Sequence, residues 1–434
     1  MFSLAVSADM FLDNLWLYMG FPALLSLGIY FSYVSKLFQF RKFPRITSLF
    51  ISYIKQDVEK DGKGYHPLKM FFAAIGGCIG IGNVVGVCTA VKIGGPGAIL
   101  WIWITAIIGS LVKYSEVFLG MKYRRKYSGG FAGGPFYYLQ EAFSCKHIAY
   151  LAAFLLCVYG VEVYVFSTLV NTFELNWHVP HTPTVIVLLI LVVFGVYGGL
   201  DRIGKISAVI VPAFIFMFLV MCLWIIGANI EQIPTIFSTV INSAFAGHAA
   251  IGGFLGSTAL MAMTQGISWG CYTGDIGIGY ASVIHSESSE NIPDKQASLA
   301  ILGVFIDTFV ICTLSLTVIM ITNVWQTNMP VVLYIQKSLG QVIPYMNVFM
   351  PVLFGLLGYS TIIAYFGVGL KNSELIAGRL GRLSYLIYGI IALVFFSYYD
   401  PSYAALLMRI AGAGLLIINI FGFFKLRKAV KFGI

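Results

Sequence analysis

Between Lys205 and Glu231 the chain runs for 25 residues without a charged side chain. A helix of that length rises about 37 Å at 1.5 Å per residue, enough to cross the roughly 30 Å hydrocarbon core of a bilayer. The pattern recurs. About eleven apolar runs approach the length of a helical crossing, at 12–38, 68–94, 98–123, 148–173, 182–200, 204–229, 236–270 (interrupted), 294–323, 343–370, 383–398 and 401–424. Of the 434 residues, 59% are hydrophobic and 10% charged. Soluble domains carry about 25% charged residues, so these residues cannot supply a soluble protein's surface. The expected fold class is an all-α integral membrane protein. Asp9 and Asp13, with no Lys or Arg nearby, make the first residues unlike a secretory leader.

The net charge of +9 follows topology and does not point to nucleic acid. Basic residues crowd into 36–69, 122–126, 202–205, 371–382 and 425–431, while 171–183 and 227–236 hold no Lys or Arg. Positive loops stay in the cytoplasm. This predicts a multi-pass cell (inner) membrane protein with its N-terminus outside and its C-terminus in the cytoplasm. The seven cysteines lie mostly within spans and show no metal spacing; they read as small apolar side chains.

Two apolar segments are interrupted by glycine: GGCIGIGN at 76–83 and GGFLG at 252–256. Unpaired backbone inside a bilayer costs several kcal/mol per group (roughly) unless it faces protein or a water-filled cavity. A single Gly pair would be explained by close helix packing. A matched pair of breaks, one containing Asn83, points instead to a transporter site at the start of each of two inverted halves. The expected divisions are an N-terminal helix and connection (1–66), a first repeat (67–230), a second repeat (231–424) and a basic tail (425–434). Half-helix N-termini suit a carboxylate, and half-helix C-termini with free carbonyls suit a cation. A dinucleotide loop is excluded, since Gly80, Gly82 and Gly86 miss the GxGxxG spacing and no strand precedes them.

Few ionisable residues fall inside the spans: Lys113, Glu116, Glu162, Asp307 and Arg409. Such residues are functional candidates. Lys113 and Glu116 share a helix face and are expected to pair. Asp307 serves equally as a structural or a coupling group. Glu162 is a candidate for proton coupling or a polar helix contact. His248 and His285 read as hydrogen-bonded structural groups. No catalytic constellation, filter repeat or charged ring speaks for an enzyme or a channel.

The stretch GNVVGVCTAVKIGGPGAILWIWITAIIGSLVKYSEVFLGMKYR (82–124), followed in order by GGPFYYL (133–139), GGFLG (252–256), GVFIDTFVICT (303–313) and GYSTIIAY (358–365), resembles the alanine or glycine:cation symporter family. The likeness spans roughly 15–425. It implies a leucine-transporter-type fold, with one extra N-terminal helix and a five-plus-five inverted repeat opened by two discontinuous helices. It further implies a sodium ion between the carbonyls of Gly76 and Ile79 and the hydroxyls of Ser360 and Thr361. The carboxylate of a small amino acid would meet amides around Ile81 and Gly82, with Asn83 orienting the turn. Cys78, Gly80, Tyr164, Gly252, Gly253, Phe254, Thr361 and Tyr365 would complete the pocket. No cofactor is implied beyond the co-transported sodium.

This chain departs from the family pattern at informative places. Cys78 and Ile81 replace the threonines of TVGTGN, Tyr164 stands at a usual glutamine, and Tyr365 at a usual tryptophan. TGDIGIGYAS (273–282) replaces SNEAGLGSAP. The expected function is sodium-coupled import of an alanine- or glycine-sized amino acid. A proton-coupled or altered-substrate transporter of the same fold, with Glu162 and Asp307 as coupling groups, is the alternative.

Overall fold

The computed structural model describes residues 16–55, 64–127, 130–246, 259–399 and 402–434. In chain order the helices are α1 (Phe21–Val34), α2 (Phe38–Arg41), α3 (Phe43–Lys55), α4 (Pro67–Cys78), α5 (Val87–Gly94), α6 (Ala98–Lys122), α7 (Pro135–Phe143), α8 (Lys146–Tyr159), α9 (Val163–Trp177) and α10 (His181–Tyr197). They continue as α11 (Gly199–Ala228), α12 (Ile233–Ala246), α13 (Ala259–Thr273), α14 (Tyr280–His285), α15 (Pro293–Val304), α16 (Thr313–Ile321), α17 (Tyr334–Gly340), α18 (Met346–Tyr398) and α19 (Ser402–Leu426). A short antiparallel hairpin, β1 (Arg125–Tyr127) with β2 (Gly130–Ala132), pairs Lys126 with Phe131.

Among the described residues, six helical stretches are long and apolar enough to cross a membrane, or seven if the bent pair 67–78 and 82–94 counts as one crossing. At 53 residues, α18 is too long for one crossing. It is interrupted by non-helical Ala377 and by Gly378 at φ +59°. This lies between the two runs expected at 343–370 and 383–398, in the charged stretch that contains Lys371, Glu374, Arg379 and Arg382. Between α16 and α18, residues Val324–Gln326 and Val331–Leu333 form short helical turns ahead of α17.

Burial separates the helices into a centre and a rim. In α6, 67% of the apolar window is buried inside the protein, against 28% in α11. Helix α6 packs on α13, α15, α14 and α1. On α11, Val209, Phe216 and Trp224 are exposed. A rim of this kind belongs against lipid tails, where it loses nothing by facing outward.

At one end, Arg124, just past α6, donates to the carbonyls of Ser286, Ser288 and Glu290 at 2.7–3.0 Å. Burial lowers this guanidinium to about 10, so it stays charged at neutral pH. Tyr53 of α3 donates to Glu290 in the same segment.

Candidate functional site

The first expected break is present. Helix α4 ends at Cys78, and the chain bends by 45° before helical winding resumes. Ile79, at φ −77° and ψ 86°, centres a three-residue turn closed by the Gly80 amide donating to the Cys78 carbonyl at 3.0 Å. These are the dihedrals of an inverse γ-turn. The Gly80 amide also donates to Asn83 Oδ1 at 2.7 Å, so the Asn83 side chain holds the turn. Beyond it, the amides of Ile81 and Gly82 open a new helical segment, where the first N–H groups have no acceptor one turn back. Residues Gly82–Gly86 are wound as π-helix before α5 begins.

Another π-helical stretch, Phe305–Cys312, joins α15 to α16. Wide turns of this kind recur at functional sites. The two stretches meet through one bond: Asn83 Nδ2 donates to Asp307 Oδ1. Asp307 Oδ2 faces the Thr308 hydroxyl at 3.4 Å, and both residues are buried.

Ser360 and Thr361 of α18 come to the other side of the break. Their hydroxyls lie 3.2 and 3.1 Å from the carbonyl oxygen of Gly76. Each also reaches the Leu357 carbonyl, at 2.8 and 3.1 Å. Gly80 has its α-carbon against this pair, since a methyl group there would lie 2.9 Å from Thr361 Oγ1. Several neutral oxygens from two helices thus converge beside a helix C-terminus, an arrangement suited to a hard cation.

The unforeseen centre of the site is Asp275. Its carboxylate accepts from Cys78 Sγ at 3.1 Å, from the Tyr159 hydroxyl at 3.2 Å and from the Tyr365 hydroxyl. Asp275 is fully buried and sits at φ +47°, a left-handed conformation that costs a non-glycine residue roughly 1 kcal/mol. Buried side chains fix the turn around it. Lys113 Nζ donates to the carbonyls of Gly274 and Asp275, both at 2.9 Å. Glu116 accepts from the amides of Gly277 and Ser282 at 3.1 and 3.2 Å. Asn419 donates to the carbonyls of Gly277 and Ile278 at 3.0 and 2.8 Å.

The expected Lys113–Glu116 pair is therefore corrected. The two share a helix face, yet the cation takes the turn's carbonyls and the carboxylate its amides, so each satisfies a different set of buried backbone groups. The sequence signal for Asp275 was present: an acid among Gly274, Gly277 and Gly279 directly after an apolar run.

Glu162 is buried, 4% exposed, and no side-chain hydrogen bond reaches it among the described residues. It lies at an interruption that the sequence did not announce. The expected span 148–173 is broken between α8 and α9, and the Val163 amide closes on the Val161 carbonyl at 2.7 Å around Glu162 at φ −71°, ψ 62°. This is a second inverse γ-turn. Gly160 packs against Tyr365, because a methyl group there would lie 2.9 Å from the Tyr365 carbonyl oxygen. Tyr164 is 38% exposed, and no hydrogen bond ties it to the Asp275 cluster. Gly252, Gly253 and Phe254, as well as His248, lie outside the described residues. His285 is a bonded structural group as expected, with Nδ1 2.7 Å from Gln296 Nε2.

A small cavity of about 20 Å³ adjoins the break, bordered by Cys78, Lys113, Gly274, His285 and Asp307. That is room for about one water.

The model of the sodium:alanine symporter family matches residues 2–432. The chain belongs to this family. A Haemophilus influenzae protein described as an uncharacterized transporter is 34% identical, over 70% of this chain and 68% of that protein. The probable sodium/glutamine symporter GlnT of Bacillus subtilis is 29% identical, over 96% of this chain and 87% of its own length. The sodium/alanine symporter AgcS of Methanococcus maripaludis is 29% identical, over 84% and 82%. This family member is thus a multi-pass membrane transporter, an amino acid:cation symporter and not an enzyme.

Proposed function

We propose that this symporter imports a small neutral amino acid of the alanine or glycine class, driven by sodium and working by alternating access. One observation carries the cation half of this reading: the Gly76 carbonyl facing the Ser360 and Thr361 hydroxyls across a broken helix. Sodium is held there with help from the Ile79 carbonyl. The substrate carboxylate meets the Ile81 and Gly82 amides, steadied by Asn83. Cys78, Gly80, Thr361, Tyr365 and, from the second break, Gly252, Gly253 and Phe254 limit its side chain, with Tyr164 at the margin. The names of the relatives support the ion in both cases, sodium/alanine and sodium/glutamine symporters, and the first also supports the substrate class.

The architecture proposed with this function has eleven crossings: one leading helix, then inverted halves at 67–230 and 231–424. The N-terminus faces outward, and the tail from 425 lies in the cytoplasm. One sodium entering down a 100 mV potential supplies about 2.3 kcal/mol from charge movement alone.

A proton-coupled mechanism is favoured by one specific feature, the buried Glu162 side chain, which carries no hydrogen bond among the described residues, with Asp307 as its partner in coupling. Uptake by proteoliposomes separates the two readings. Alanine or glycine should accumulate under an inward sodium gradient and fail to do so when potassium replaces sodium. Uptake indifferent to sodium but following a pH gradient would overturn the sodium reading in favour of the proton.

A further inference from the structure

We infer that Asp275 is the latch that closes the substrate chamber toward the face carrying the basic loops. The inference rests on the alternating-access reading and adds to it the group that must let go. Three donors meet on this one carboxylate, and no two belong to the same helix: Cys78 ends α4, Tyr159 ends α8, and Tyr365 lies in α18 one turn beyond Thr361. Two of them, Cys78 and Tyr365, are chamber residues. Cys78 and Tyr159 each sit immediately before a helix interruption, where a half-helix can swing without breaking the rest of its hydrogen bonds.

The turn that carries the latch is held by other side chains. Lys113 and Glu116 of α6 hold the turn by its carbonyls and amides, and Asn419 of α19 holds it from the other side. Tyr138 of α7 sets the Asn419 amide by donating to its Oδ1 at 2.9 Å. The turn is thus held by α6 and α19, while its three donors come from α4, α8 and α18, and Lys113 also reaches Cys78 Sγ at 3.7 Å. Moving the turn away from those donors requires Asp275 to release all three. Tyr280, just beyond the turn, covers the same joint. Its ring stacks on Tyr365 at 4.1 Å, and its hydroxyl donates to the Ala73 carbonyl of α4 at 3.4 Å.

The chain continues from this turn through α14 into 286–290, which Arg124 clasps beside the hairpin formed by β1 and β2. The latch thus lies between the chamber and the end of the molecule that bears Arg124, Arg125 and Lys126.

Cys78 supplies a native probe. It should be modified slowly by a membrane-impermeant maleimide while the latch is closed, and labelling of its peptide can be counted by mass spectrometry in sealed vesicles of either orientation. A Lys126→Cys marker reports which vesicle surface carries the basic hairpin. Asp275→Ala should speed Cys78 labelling about tenfold or more from the surface that labels the marker, since a hydrogen bond to a charged group shifts an equilibrium by at least that factor. Labelling from the opposite surface should stay unchanged. Tyr365→Phe and Tyr159→Phe, which each remove one hydroxyl, should give smaller increases on the same side. These two variants carry the test if Asp275→Ala does not fold.

An unchanged rate in the phenylalanine variants, or an equal rise from both surfaces, would overturn the latch. The readout is accessibility rather than uptake. A wild-type protein that ignores alanine and sodium would sink the proposed function while leaving this result interpretable, and the reverse also holds.

Discussion

Ser360 and Thr361 present two hydroxyls to one carbonyl, and each hydroxyl can turn its lone pairs toward a cation while leaving its proton on Leu357. If they ligate sodium, deleting either oxygen leaves the ion with one contact fewer and no compensating group. Contacts to a charged partner are worth about 1.5–3 kcal/mol. Ser360→Ala and Thr361→Ala should therefore each raise the sodium concentration for half-maximal uptake about tenfold or more. A sodium titration of uptake that superposes on wild type would remove that residue from the site. These two hydroxyls were legible only through the family resemblance, since Ser167–Thr168, Ser238–Thr239 and Ser257–Thr258 are equally adjacent pairs inside expected spans. Asp275 was harder to see. Its role depends on three donors at positions 78, 159 and 365, whose convergence only the packed chain reveals. Asn83 lies between: its place in a glycine-rich break marked it out, while its bond to Asp307 links residues 224 positions apart.

Two of the helix interruptions use the same inverse γ-turn, yet only one of these two was visible in the sequence. At 76–83 the glycines weaken the helix and allow close contact, so composition reports the break. At 160–162 the central residue is Glu162 at φ −71°, a backbone angle open to any amino acid, and the turn leaves no compositional trace beyond one glycine. The division of α18 was legible for another reason: the charged residues of 371–382 interrupt an apolar run.

The glycine at 77 has a different task from those at the break. A methyl group there would overlap the Tyr280 hydroxyl, whereas at Gly227 it would meet nothing within 4 Å. Gly77→Ala should cost about 1–3 kcal/mol by overpacking, seen as a lower thermal midpoint in detergent. Gly227→Ala, one residue before α11 ends, should hold or slightly raise that midpoint through better helix propensity. Equal midpoints for the two variants would show that α4 and Tyr280 are not in the contact described.

At the scale of the molecule, one end gathers the basic loops, the hairpin and the tail. Lys122 donates to the Ala429 carbonyl at 3.0 Å, Tyr114 to the Lys431 carbonyl at 2.8 Å, and Phe432 stacks on Tyr114 at 5.0 Å. That end is tied together by many separate bonds, and the helices around the break are joined across their packed core by the polar contacts of Asp275, Asn83–Asp307 and the Gly76 carbonyl. Ligands bound there bridge several helices at once, so their binding should register as stability of the whole fold. A ligand that binds only the native state adds about 2.7 kcal/mol at a concentration about a hundred times its Kd.

Sodium and substrate at adjoining faces of one broken helix should also strengthen one another, and linkage requires the effect to be reciprocal. Thermal midpoints measured with alanine and sodium together should therefore exceed the sum of the separate shifts. The same alanine series in potassium should give little or no shift. Should alanine stabilise the protein equally in both salts and only a change of pH alter its effect, the cation partner is a proton. In that case Glu162 and Asp307, rather than Ser360 and Thr361, are the residues through which the two ligands are coupled.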